Sequence, residues 1–207
     1  AWGINHLAYL TPAWQWGITG LAVVLFSLAL WNSRASRLPD KTAGYLLESG
    51  PGMVLTGLVL AALFWSIQVA HQFLGDGILL LDLLARKVPF RAFDTGDYLL
   101  HLQLAGWLEK AEGLGPAHAY RLSGTLAGVA AWALILAQTR RLRWDLRRRL
   151  VFLGLFFFSG PALFFFGYVE SYSWLLVAMT GFVLGGQAYL EERGPLWAPS
   201  FFWSLGL

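Results

Sequence analysis

The chain has 207 residues, of which 57% are hydrophobic and only 13% charged, too few charges to give a soluble fold of this size a polar exterior. The net charge of +3 does not point to nucleic acid, because six of the fifteen basic residues are packed into RRLRWDLRRR, residues 140–149, between two apolar runs. There is no cysteine, which excludes disulfides and zinc–thiolate sites.

Charge-free runs occupy residues 1–33, 49–75, 122–139, 150–169 and 171–190. A bilayer-crossing helix takes about 20 such residues, and runs like FLGLFFF lack the alternation of a membrane β-barrel. The pattern predicts an all-α, polytopic transmembrane bundle with spans at about 16–31, 52–70, 121–139, 143–160 and 164–190, and a partial one over 196–207. The first residue is Ala, the last segment is apolar and short, and no charged n-region precedes the first span. A single transmembrane domain belonging to a longer protein is expected, with a further helix upstream.

The first fifteen residues carry Trp2, Tyr9 and Trp14, as an interfacial belt does, with Trp16 just beyond. The positive-inside rule puts the Arg140–Arg149 loop on the cytoplasmic side. Counting spans from it, the loop with Arg34, Arg37 and Lys41 and the turn Glu191–Arg193 fall on the same side. Residues 1–15, the long segment 71–120 and the turn near 159–170 then face outward. Within 71–120, Gly75-Asp76-Gly77 breaks the preceding helix, and two amphipathic surface helices follow. The first, ILLLDLLARK, pairs Asp82 with Arg86 four residues on and ends at Val88-Pro89. The second is DYLLHLQLAGWLEKAEGL, which either lies at the surface or dips into the bilayer as a short re-entrant element. Compact loops and heavy use of Leu, Ala, Gly and Arg point to a bacterial inner membrane.

Ionisable groups at a membrane boundary are costly and often explained by function. Asp76, between two glycines, is either a helix N-cap or an accessible carboxylate, and the two roles are compatible. Glu170 is the one charged residue from Leu150 to Leu190, set among Phe164–Phe166, Tyr168, Tyr172 and Trp174. It reads either as a solvated tip or as a group held for proton transfer or substrate binding. Arg121 opens a span as a snorkelling anchor or as a bidentate grip on a phosphate. Asp97 and His101 share a helix face at i, i+4, with Asp94 nearby in sequence and His71 reachable only through tertiary contact, so a divalent metal stays open. No metal ligand set is assigned, and no cofactor is implied with certainty. There is no P-loop, GxSxG elbow, HExxH helix or Rossmann glycine run.

In order along the chain, GDGILLLDLL, then AYRLSGTLAGVAAWALILAQTRRL, then FFFSGPALFFFGYVESYSWLLVAMTGFVLGGQAYL resemble GT-C glycosyltransferases, which include the protein O-mannosyltransferases and the lipid A aminoarabinose transferases. The resemblance covers roughly residues 72–192 and rests on pattern more than on strict motifs. It implies a membrane enzyme that moves a sugar, with inversion, from a polyprenyl-phosphate carrier to an acceptor on the non-cytoplasmic face. It further implies Asp76 as general base and Glu170 as the second acid. Arg121 as the grip on the carrier phosphate, with Asp97 and His101 in substrate binding, is expected from residue type and placement rather than from a match to the family's motif. The sequence departs from the family in its extra leading span, in Asp-Gly where some members have two adjacent acids, and in lacking the C-terminal half. The other expectation is a multi-pass transporter or flippase for a lipid or solute that uses an intramembrane acid.

Overall fold

The computed structural model describes residues 12, 13, 16, 17, 20, 37–67, 77–88 and 95–205. The span expected at 16–31, the interfacial belt before it, and Asp76, Asp94 and His71 lie outside the described residues, apart from those few positions near the N-terminus. All regular structure among the described residues is helical. In chain order it comprises α1 (Arg37–Glu48), α2 (Gly50–Ser66), α3 (Gly77–Arg86), α4 (Thr95–Glu112), α5 (Pro116–Arg141), α6 (Leu146–Phe157), a 3-10 segment (Gly160–Phe166), α7 (Ser173–Leu190) and α8 (Trp197–Leu205).

Helix α5 is the axis of the molecule. Pro116 opens it, where a missing N–H costs nothing, and its 26 residues rise about 39 Å. One face is a run of small residues: Gly124, Ala127, Gly128 and Ala131 are buried, so neighbours approach to backbone distance. A Cβ on Gly124 would lie 2.6 Å from the Phe164 carbonyl oxygen, and one on Gly128 would lie 2.6 Å from the Phe64 ring. Around this face, Phe64 of α2 packs with Phe157, Phe165 and Phe166 at centroid separations of 5.0–5.8 Å.

Helices α5 and α7 are long and apolar enough to cross a membrane, and the α1–α2 pair passes the same test if its 87° bend lies within one span. Membrane association fits this composition. The bend has a local cause. Ser49 caps α2 by accepting the Gly52 N–H at 3.0 Å, while its own hydroxyl donates to the Tyr45 carbonyl at 2.6 Å. Pro51 cannot continue α1 for want of an N–H. Gly52 is required at this corner, since a Cβ there would fall 2.1 Å from the Tyr45 carbonyl oxygen.

Several expected boundaries are corrected. The stretch read as a basic loop is helical over Arg37–Glu48. The run expected to span over 143–160 is a 12-residue helix, about 18 Å long and too short to cross by itself. It stops at Phe158, where Ser159-Gly160-Pro161 starts the 3-10 segment. The run expected over 164–190 is not one helix: Gly167 adopts a left-handed conformation at φ 75°, ends the 3-10 segment, and leaves 168–172 as a turn before α7. Ser159-Gly160-Pro161 signals the first interruption in the sequence, as expected, whereas uniform apolar composition conceals the second. Two helices, α3 and α4, form after Gly77 where they are expected, and Arg86 bonds Asp82 at 3.0 Å.

The two ends of α5 differ in character. At its C-terminal end, Arg140 donates to the Leu47 carbonyl at 2.6 Å, Arg149 pairs with Glu48 at 3.1 Å, and Arg193 donates to the Leu142 carbonyl. This is the arginine end. The 3-10 segment and the turn after it lie along the N-terminal half of α5, where Trp174 donates its indole N–H to Ser123 at 3.0 Å. Thus α5 and α7 run in the same direction, and α6 with the 3-10 segment carries the chain back between them. Helix α8 folds back on α7, with Phe202 over Gly181 and Pro199 over Gly185.

Candidate functional site

The end of α5 opposite the arginines gathers the described ionisable candidates. Helices α3 and α4 are placed there by a small apolar cluster of Leu80, Leu84, Tyr120 and Val169, with Tyr98, Leu102 and Ala105 packed around it. Val169 brings the turn after the 3-10 segment into the same cluster, so its neighbour Glu170 is anchored where α3, α4 and α5 meet.

Glu170 is 8% exposed. That excludes the reading of a solvated tip. A carboxylate removed from water in so apolar a chain carries a desolvation cost that must be met by local polar interactions. The aromatic residues that flank it in sequence pack on one another, with Phe164 lying 6.2 Å from Tyr168 and 5.8 Å from Tyr172 between ring centroids.

Arg121 is not a simple snorkelling anchor. Its guanidinium lies 3.9 Å over the Trp65 ring and also donates to the Trp65 carbonyl. Stacking and hydrogen bonding from one residue fix the planar group in orientation. Its stem packs on the turn: a Cβ on Gly167 would sit 3.5 Å from the Arg121 Cγ. Arg121 and the loop that carries Glu170 are therefore neighbours.

His101 is 2% exposed and stacks on Tyr120, with ring centroids 3.8 Å apart and an interplanar angle of 16°. Its Nδ1 lies 2.8 Å from the Asp97 carbonyl oxygen and 3.2 Å from the Asp97 carboxylate. A carbonyl can only accept, so Nδ1 carries the proton and the two oxygens share it. The i, i+4 pairing expected from the sequence is thus formed, and Tyr120 places it one residue from Arg121. Among the described residues no three His, Cys, Asp or Glu side chains converge as a metal site, and the Asp97–His101 pair supplies two donors at most. Two further polar atoms near this end, the Tyr98 hydroxyl and the His118 Nδ1, are buried with no hydrogen-bond partner among the described residues. Each such group costs about 1–3 kcal/mol if it stays unpaired.

No protein-family model matches the chain, and neither a curated protein nor a solved structure matches it.

Of the five site residues expected from the sequence, Glu170, Arg121, Asp97 and His101 belong to one end of the molecule. Asp76 lies outside the described residues; α3, which begins at the next residue, is part of the same end. Sequence reasoning missed Trp65, the clasp on Arg121 from 56 residues away, and the stacking of Tyr120 on His101. The signal for Trp65 was weak: an aromatic at the end of an apolar run reads first as an interfacial anchor.

Proposed function

We propose that this chain is part of a multi-pass membrane glycosyltransferase of GT-C type, in a bacterial inner membrane, which takes its sugar from a polyprenyl-phosphate carrier at the end opposite the arginines. The observation that carries the reading is a buried Glu170 on the turn that packs against the stem of Arg121, whose guanidinium is held in fixed orientation by Trp65. An acid for the acceptor and a cation for a leaving phosphate are what such a transfer needs within one small volume.

In this reading Asp76 removes the proton from the acceptor hydroxyl. The hydroxyl oxygen attacks the anomeric carbon from the face opposite the carrier, and the bond from that carbon to the phosphate oxygen breaks with inversion. The phosphate leaves as an anion, and Arg121 stabilises the charge bidentately. Glu170 orients the acceptor. Asp97, His101 and the buried Tyr98 hydroxyl supply hydrogen bonds to the carrier phosphate or sugar. Carrier and acceptor partners both reach the site from or along the bilayer.

Transfer from a polyprenyl-phosphate sugar by the full-length protein in liposomes tests this. Wild type transfers the sugar and Asp76→Asn loses most of that activity; normal transfer by Asp76→Asn removes the catalytic assignment. The second reading, a transporter or flippase, is favoured by the break between α6 and the 3-10 segment, since interrupted helices line substrate paths in transporters. Proton-coupled flux of a solute without sugar transfer selects it.

A further inference from the structure

The face of α6 that starts at the arginine end is continuous with an apolar groove. Arg148, Phe152 and Phe156 are spaced i, i+4, i+8, so they lie in a row along the helix. The row is locked from below by Trp144. The Arg148 guanidinium lies 4.0 Å from the Trp144 ring centroid, and Trp144 meets Phe152 edge to face at 5.5 Å. Phe152 and Phe156 then form one wall of a groove of about 190 Å³ whose other wall is Met179, Thr180 and Val183 of α7. It exists because α6 packs on α5 and the 3-10 segment rather than along α7. Thr180 adds no free polarity, since its hydroxyl donates to the Leu176 carbonyl at 2.7 Å.

The mouth of the groove is strongly basic. Residues 140–149 hold six arginines against one acid, Asp145, whose carboxylate accepts the Arg148 backbone N–H at 2.7 Å. Arg149 is committed to Glu48, and Arg140 to a carbonyl. Arg141, Arg143, Arg147 and Arg148 are exposed and make no ion pair among the described residues. Arginines 147–149 also crowd the first turn of α6, the positive end of its dipole, an arrangement an anion would relieve.

We propose that this is a binding site for an anionic phospholipid of the arginine-side leaflet, its phosphate on Arg148 and neighbouring guanidinia and one acyl chain along Phe152, Phe156 and Met179. Charge complementarity at the mouth and an apolar lining continuous with it select this occupant. A free phosphate leaves the groove unexplained, and a neutral lipid leaves the arginines so. The site depends on the chain lying in a membrane but not on glycosyl transfer.

Native mass spectrometry of the full chain in detergent, offered dioleoyl phosphatidylglycerol or dioleoyl phosphatidylcholine, tests it. Wild type retains phosphatidylglycerol at least about fivefold over phosphatidylcholine, and Arg148→Gln lowers retention of phosphatidylglycerol alone by about fivefold. Met179→Trp, at a position open to its surroundings, fills the groove and reduces retention of both lipids. Lys110→Gln, an exposed cation on α4, changes neither. Equal retention of the two lipids by wild type, no loss in Arg148→Gln, no loss in Met179→Trp, equal loss in Lys110→Gln, or full displacement of the lipid by inorganic phosphate each overturns the proposal. Asp76→Asn, which tests transfer, retains phosphatidylglycerol like wild type, so failure of the enzyme reading and failure of the lipid site are told apart.

Discussion

The two ends of α5 handle charge in opposite ways. At the arginine end most cations are exposed, and those turned inward donate to helix-terminal carbonyls such as those of Leu47 and Leu142, or pair with half-exposed Glu48. Carbonyls at helix ends lack intrahelical partners, and cations there meet the negative end of the dipole, so the charges of Arg140 and Arg193 are inexpensive and serve structure. At the other end exposed charges sit on the outer faces of α3 and α4, but three ionisable groups are drawn in, with Glu170 and His101 buried and Arg121 clasped by Trp65. Holding a few ionisable groups away from water is expensive. A site where charge develops during a reaction is a sufficient reason for that expense.

The contrast makes graded predictions. Asp76→Asn is expected to have the largest effect, a loss of at least about a hundredfold in sugar transfer, on the scale of removing a general base. That variant should melt at the wild-type temperature in detergent. Next, Gly128→Leu on the small face of α5 forces Phe64 and Phe165 apart and should cost about 1–3 kcal/mol, read as a lowered unfolding midpoint. Glu170→Gln keeps shape and burial while removing the charge. It is expected to reduce transfer about tenfold, and an unchanged rate would move Glu170 from the reacting groups to the scaffold. The smallest effect belongs to the arginine end: Glu48→Gln should cost about 0.5–1 kcal/mol, because its carboxylate is more than half exposed, and should leave transfer at the wild-type rate.

Much of this was legible in the sequence wherever one helix decides the outcome. The charge-free run 122–139 gives the body and the C-terminal end of α5, which begins about a turn before the expected span, at Pro116, and the spacing of Asp97 and His101 gives their contact. What was hidden depends on tertiary contact or on breaks within uniform apolar sequence. In FFFSGPALFFFGYVE the run Ser159-Gly160-Pro161 marks the break, but nothing marks that the chain goes on as a 3-10 segment or that Gly167 goes left-handed. Arg37–Glu48 looks like a loop because its charges obscure an apolar face that only Leu47 and its packing against α5 make evident. Trp65 meets Arg121, and Tyr120 meets His101, through packing between separate helices, which single-helix periodicity does not register.

The arginine end and the Glu170 end are expected to face opposite sides of a membrane. The chain has no cysteine, so single cysteines can report on each end without background. Arg143→Cys and Tyr172→Cys, both at exposed positions, are labelled in intact cells with a membrane-impermeant maleimide, then again after permeabilisation. Tyr172→Cys is expected to react in intact cells and Arg143→Cys only after permeabilisation. Labelling of both from the same side, or the reverse pattern, would contradict that arrangement.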